Sequence, residues 1–150
     1  MKLNYFIRLV KKSDYNNWIM LWNDYLIFCN TNISEEISKN TFNNIIDLKS
    51  NISSFVAEDS DKKLLGFVIF VCHPTSFSLN NRFYIEDLFT HPKSRRQGVA
   101  YSLIKAVETL AIQSNSDKLY WHTGENNYIA RMLYDKIAKK TQIVYTKMLI

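Results

Sequence analysis

One short stretch, Arg95-Arg96-Gln97-Gly98-Val99-Ala100, limits the choice of fold more than any other part of the chain. Ahead of it, Phe83 to Thr90 reads as a strand. Behind it, an amphipathic helical pattern begins near Val99. A glycine-containing loop that opens straight into a helix aims several unpaired backbone N–H groups at one place, together with the positive end of the helix dipole. Phosphate is the group such a place binds best. Arg95 and Arg96 add charge-assisted donors in the same turn, so the loop reads as a pyrophosphate site.

The rest of the chain supplies the layers around that loop. Asn4 to Val10 alternates as a short strand, and Ser13 or Asp14 caps a helix carrying Trp18, Leu21, Trp22, Tyr25 and Leu26 at helical spacing. A second helix is predicted from Ser34 to about Leu48, with Glu35 and Glu36 in its first turn and a stripe of Ile37, Thr41, Phe42, Ile45 and Ile46. Ile52 to Glu58 and Leu64 to Cys72 flank the polar turn 59–63 and predict an antiparallel hairpin. After the glycine turn, Ala100, Leu103, Ile104, Val107, Leu110 and Ala111 share one helical face. Leu119 to Thr123 is a further strand. Asn127 to about Ala138 is a helix with Ile129, Ala130, Leu133 and Ile137 on its apolar side, and Ile143 to Leu149 is a closing strand. The strand–helix–strand–helix order of the second half implies a parallel pair with a right-handed crossover. The earlier hairpins make the remainder of the sheet antiparallel.

Bulk properties narrow the function classes. At 150 residues, 47% hydrophobic and 14% aromatic, the chain has material for one well-filled core and no disordered character. No apolar run is long enough to span a bilayer, and Met1 to Tyr5 lacks a signal-peptide pattern. Cys29 and Cys72 form neither a disulfide framework nor a metal motif, and no His, Cys and carboxylate cluster has metal-ligand spacing. The expectation is a reduced, cytoplasmic protein with no membrane partner and no metal. The net charge of +5 is dispersed over Lys11-Lys12, Lys62-Lys63, Arg95-Arg96 and Lys139-Lys140 rather than gathered in one block, so no nucleic-acid partner is expected.

Three motifs in order give the chain a resemblance. Glu86-Asp87-Leu88-Phe89 looks like the Glu-Asp-hydrophobic-Phe strand of diamine and polyamine acetyltransferases. Arg95, Gly98 and Ala100 match an Arg-x-x-Gly-x-Ala turn. Asn127, Ala130, Leu133 and Tyr134 match an Asn-x-x-Ala-x-x-Leu-Tyr signature. Together they resemble the GNAT superfamily of acyl-CoA-dependent N-acetyltransferases. The resemblance implies a single α/β domain over residues 1–150, with a mixed, mostly antiparallel sheet of six to seven strands flanked by four helices.

The resemblance also implies roles. An amine with a pKa of about 10.4 is almost wholly protonated at neutral pH, so transfer to it requires a proton acceptor. Glu86 would take that proton, through water, and Tyr134 would protonate the departing coenzyme thiolate. Backbone groups at Leu88, Phe89 and Thr90 would hold the pantetheine arm and polarise the acetyl carbonyl. Arg95, Arg96, Gln97, Gly98, Val99, Ala100 and Tyr101 would cradle the pyrophosphate, and Asn127 would bind pantetheine and start its helix. The co-substrate is then acetyl-CoA, transferred directly in a ternary complex to the primary amine of a small diamine, polyamine or amino acid. The alternatives are a protein or peptide lysine acceptor, or a CoA-binding regulatory module without turnover. Glu35, Glu36 and Glu58 are further carboxylates for a dicationic acceptor. The aromatic first helix, with Trp18, Trp22, Tyr25 and Phe28, suggests a homodimer. Two departures from the family pattern stand out: Arg96 takes the place of a usual glycine, and no glycine stops the last helix after Tyr134.

Overall fold

The computed structural model describes residues 4–150; the expectation drawn from Met1 to Leu3 lies outside the described residues. Five strands form one sheet: β1 (Tyr5–Leu9), β2 (Ile52–Asp59), β3 (Leu64–His73), β4 (Arg82–Thr90) and β5 (Leu119–Trp121). They lie side by side in chain order, the first four antiparallel and β5 parallel to β4. Four helices accompany them: α1 (Tyr15–Phe28), α2 (Glu35–Ile46), α3 (Val99–Gln113) and α4 (Tyr128–Ile137).

Strand alternation divides the core into two layers. On one face Val68, Phe70, Phe83 and Ile85 meet Val99, Leu103, Ile104 and Val107 of α3, with Leu133, Tyr134 and Ile137 of α4 packed against them. On the other face Val56, Phe67, Ile69 and Phe89 meet Trp18, Leu21 and Trp22 of α1, and Phe42 and Ile45 of α2. The strand β3 is buried along most of its length because helices cover both its faces. Gly66 is required there. A Cβ built on it would stand 2.6 Å from the Phe89 carbonyl oxygen and 3.2 Å from the Val99 side chain.

Several expectations are corrected. Among the described residues the sheet has five strands, not six or seven. Ile143 to Leu149 forms no strand: residues 139–150 lie outside any helix or strand, and Ile143 is 83% exposed. Strand-forming residues gain from pleated structure only against a partner strand, and this segment has none. Ile129 is 73% exposed, so α4 turns Leu133, Tyr134 and Ile137 inward instead. In α2 the buried position of the first turns is Ser38, not Ile37; its hydroxyl accepts a 2.9 Å hydrogen bond from the Trp22 indole. Of the α1 aromatics, Trp18 and Trp22 are taken up by the protomer's own core at 0% and 5% exposure, whereas Phe28 is 54% exposed.

Candidate active site

The site grows from an irregularity in β4. Asp87 pairs with Ile69 and Ile85 pairs with Phe70, which leaves Glu86 as an extra residue with no partner on β3. Such a bulge bends the strand and re-aims its side chains. On the opposite side of β4 the ladder to β5 is brief, joining only Phe83 with Leu119, Tyr84 with Tyr120 and Ile85 with Trp121. Beyond these pairs the two strands part as partners, because β5 ends at Trp121 while β4 runs on to Thr90.

The parting leaves main-chain donors without a strand partner. His91 N–H donates to Leu65 O on β3 at 2.9 Å. Alternation then turns Phe89 toward β3 as well, and turns Leu88 and Thr90 N–H toward the gap beside β5. The Phe89 ring is buried in the α1–α2 layer. Leu88 and Thr90 N–H thus face away from β3, while Phe89 N–H faces it. The Thr90 hydroxyl is buried and finds no hydrogen-bond partner among the described residues.

The loop after β4 is shaped by two left-handed residues, Arg96 (φ 59°) and Gly98 (φ 83°). Glycine adopts this conformation freely, whereas for arginine it is strained. Arg96 thus occupies the usual glycine's place by accepting the backbone that a glycine would supply. The loop delivers Gly98 to the N-cap of α3, and no side chain caps that helix start. Arg95 is anchored: its Nε donates to Thr90 O at 3.2 Å, and its guanidinium lies over the Phe28 and Phe89 rings at 5.4 and 5.8 Å. Val99 is buried beneath the loop, Ala100 is half-buried, and Tyr5 Oη ties the start of α3 through Ser102 at 2.9 Å. Tyr101 lies one turn on, beside a 450 Å³ cavity shared with Lys105 and Trp121.

The chemistry-bearing side chains stand around the gap. Glu86 is exposed, while Asp87 is half-buried and accepts a 2.7 Å hydrogen bond from the Tyr25 hydroxyl of α1. Burial, helped by the neighbouring Glu86 charge and opposed by the Tyr25 hydrogen bond, pushes the Asp87 carboxyl up to about 6. Tyr134 meets Trp121 edge-on, with ring centroids 5.4 Å apart, where β5 ends. Burial raises the Tyr134 hydroxyl above its ordinary value, so it stays protonated at neutral pH. Tyr134 also lines a 720 Å³ cavity between β5, α4 and the C-terminal segment. Asn127 starts α4 through its carbonyl, which accepts from Arg131 N–H at 3.0 Å, and its side chain donates to Thr123 Oγ1 at 3.1 Å.

Other expected participants are placed elsewhere. Glu58 is bound to Arg8, which also grips Asp14 through two 2.8 Å hydrogen bonds; this half-buried triad fastens β1 to β2 and to the start of α1. Glu35 and Glu36 occupy the exposed first turn of α2. His91 follows β4, and its side chain accepts a hydrogen bond from Lys93 N–H. Tyr25 and the half-buried state of Asp87 were not legible in the sequence. The only sequence signal for them was the adjacency of two acids in an apolar strand. Among the described residues no group of His, Cys, Asp and Glu is placed to hold a metal ion, and no helix is long and apolar enough to cross a membrane.

Comparison with known proteins gives this arrangement its class. Residues 15–138 match the Acetyltransferase (GNAT) family. The chain is 30% identical over 142 residues to the D-amino-acid N-acetyltransferase HPA3 of Saccharomyces cerevisiae, covering 94% of this chain and 88% of that protein. It is 31% identical over 78 residues to the L-ornithine N5-acetyltransferase NATA1 of Arabidopsis thaliana, covering 52% of this chain and 34% of that one. The aminoglycoside N-acetyltransferase AAC(6')-Iy, solved with CoA, superposes with a TM-score of 0.83 over 100% of this chain and 98% of its own, at 18% identity. The chain therefore belongs to the GNAT family of acetyltransferases. It is an N-acetyltransferase whose acyl donor is acetyl-CoA.

Proposed function

We propose that the protein transfers acetyl from acetyl-CoA to the primary amine of a small acceptor, a diamine, polyamine or amino acid, by direct attack in a ternary complex. The observation that carries this reading is the parting of β4 from β5, with unpaired donors on its β4 side, a carboxylate pair at the bulge and a protonated tyrosine beside the end of β5. The donor fits this gap. Its pantetheine arm pairs with Leu88 and Thr90 as an added strand does, near the orphaned Thr90 hydroxyl. The pyrophosphate rests on the uncapped start of α3, held by Arg95, Arg96, Gln97, Gly98, Val99, Ala100 and Tyr101. Asn127 steadies the pantetheine from the start of α4.

The acceptor ammonium gives up its proton to the Glu86–Asp87 pair, Glu86 being the exposed member and Asp87 the one whose pKa suits a base at neutral pH. The neutral amine attacks the thioester carbonyl. The oxyanion that forms is stabilised by main-chain N–H of β4. When the intermediate collapses, the nitrogen loses its second proton to solvent, the C–S bond breaks, and Tyr134 protonates the sulfur and regains its own proton from solvent. Small acceptors are supported by the two sequence relatives, one named for D-amino acids and the other for L-ornithine.

The test is free-thiol release from acetyl-CoA with putrescine, spermidine, ornithine, lysine and a lysine-bearing peptide. Release with the small amines supports the reading. Release with the peptide alone reassigns the acceptor. Coenzyme-dependent stabilisation without release from any amine identifies a binding module and overturns it.

A further inference from the structure

The α1–α2 face of the sheet is uncovered at β5 and at the start of β4. Phe83, Ile85, Cys72, Leu119 and Trp121 all pack into the α3–α4 layer. Alternation therefore turns His73, Tyr84 and Tyr120 to the opposite face, yet none of them joins the core beneath α1 and α2. They pack on one another instead. The Tyr84 and Tyr120 rings lie 4.9 Å apart, His122 lies 5.2 Å from Tyr84, and His73 meets Tyr120 edge-on at 5.7 Å.

The hydroxyls of this floor are held in place. His73 Nδ1 is 2.7 Å from the Pro74 carbonyl, which can only accept, so Nδ1 carries the proton. Its Nε2 then accepts from Tyr120 Oη at 2.7 Å, and Tyr84 Oη is bonded to His122 Nδ1 at 3.1 Å. Opposite charges stand at the two ends of the floor. At one end the Lys118 ammonium lies 5.0 Å from the centre of the Tyr120 ring. The adjacent Asp117 is occupied by Arg82 through two 2.8 Å hydrogen bonds, and among the described residues no carboxylate is within ion-pair distance of Lys118. At the other end are Glu86 and Asp87, close enough that, after burial, their charges help to raise the Tyr84 hydroxyl above its ordinary value.

The spacing between those charges selects a ligand. Tyr84 and Tyr120 are register partners, so the Lys118 ammonium stands near the level of Tyr84. Glu86 and Asp87 follow two and three positions later, roughly 7 to 10 Å away at about 3.3 Å per residue. A carboxylate and an amine on one carbon are about 3 Å apart, and two charge-assisted hydrogen bonds add about 2.8 Å each. The sum is about 9 Å, within the gap.

We propose that this uncovered face is the acceptor subsite and that it is built for an α-amino acid, with Lys118 receiving the carboxylate and the Glu86–Asp87 end receiving the α-amine over a floor of Tyr84, Tyr120 and His122. The proposal rests on the acetyltransferase reading above and narrows it. A diamine offers nothing to Lys118 and brings a second cation toward it. Lys118 is a specificity residue here and takes no part in bond making.

Lysine and its decarboxylated counterpart cadaverine test the assignment, since they differ only in the carboxylate. Wild-type protein is expected to acetylate D- or L-lysine with a KM at least about tenfold below that for cadaverine. Product analysis is expected to give the Nα-acetyl isomer. Lys118→Met should raise the KM for lysine about tenfold or more, leave the KM for acetyl-CoA unchanged and that for cadaverine unchanged or lower, and be rescued in part by Lys118→Arg. Equal effects on lysine and cadaverine, no effect on either, or Nε-acetylation alone would overturn the proposal while leaving the acetyltransferase intact. If no amine is turned over, the parent reading fails, and calorimetric titration of lysine and cadaverine in the presence of CoA still decides the subsite. Tighter lysine binding that is lost in Lys118→Met supports it, and equal or absent binding refutes it.

Discussion

The Tyr25 hydroxyl donates a 2.7 Å hydrogen bond to Asp87 Oδ1, joining the last turn of α1 to the bulge of β4 across 62 positions of sequence. Each group shifts the other. Burial and the Asp87 charge raise the Tyr25 hydroxyl well above its ordinary value, so it remains a donor. Burial, together with the Glu86 charge, lifts the Asp87 carboxyl to about 6 in spite of that bond.

A pH signature follows. The base must be ionised, so kcat/KM should rise with pH through about 6 and lose that limb in Asp87→Asn. Stability should run the other way. A carboxyl whose folded pKa lies above its unfolded value of 3.8 favours folding fully below pH 3.8, and loses that contribution as the pH climbs through about 6. A rise from 3.8 to about 6 corresponds to roughly 3 kcal/mol. Asp87→Asn should therefore be less active yet melt higher at pH 7.5, with the melting difference shrinking toward pH 4. A variant that melts lower at pH 7.5 would count against the half-buried, raised carboxyl.

Tyr134→Phe removes the hydroxyl and keeps the ring that packs on Trp121. The expected result is a fall in kcat of about 10²-fold or more, with the KM for acetyl-CoA and the melting temperature little changed. Stopped-flow thiol release separates this from a binding defect, which would appear in KM alone.

Arg96→Gly exchanges a strained residue for one at ease with φ 59°. Relief of about 1 kcal/mol is partly offset by the larger entropy of glycine in the unfolded chain. Unfolding in urea should show equal or slightly higher stability. Coenzyme binding should weaken and become less sensitive to salt, because one cation has left the loop. Undiminished binding would mean that Arg96 serves the backbone and not the ligand.

Gly66→Ala tests the seam between β3, β4 and α3. A methyl group 2.6 Å from the Phe89 carbonyl oxygen cannot be accommodated by a side-chain rotation. A cost of about 3 kcal/mol or more, the upper range for single substitutions, is expected in chemical denaturation, with coenzyme affinity falling alongside it because Thr90 is displaced. A variant of wild-type stability would show that the strands slide apart freely at this point.

Periodicity made α1 and α3 most legible, because each buries a regular stripe: Trp18, Leu21 and Trp22 in α1, and Leu103, Ile104 and Val107 in α3. The helix-opening loop was legible because Gly98 and Arg95 announce it locally. What local sequence cannot carry is pairing. Nothing in Ile143 to Leu149 says whether a strand edge is available to it, and it stays unpaired. The same limit hid the role of Tyr25, whose partner is 62 residues distant. It also left Glu58 looking free for an acceptor when Arg8 had already claimed it. The face of the Glu86–Asp87 pair was undecided for a related reason, since a bulge depends on the register of β3 and not on β4 alone.

The strand β5 is three residues long, and its shortness makes the enzyme and its donor competitors for one edge. In the proposed reading, acetyl-CoA occupies a berth that the chain's own segment 122–126 would fill if it continued the ladder. His122-Thr123-Gly124-Glu125-Asn126 is a poor zipper, with a glycine, an asparagine and a glutamate where strands favour branched and aromatic residues. The protein keeps its donor slot open by declining to complete its own sheet. Substitutions that make this segment a better strand should then act as inhibitors encoded in the chain, closing the berth without touching a residue that contacts the coenzyme.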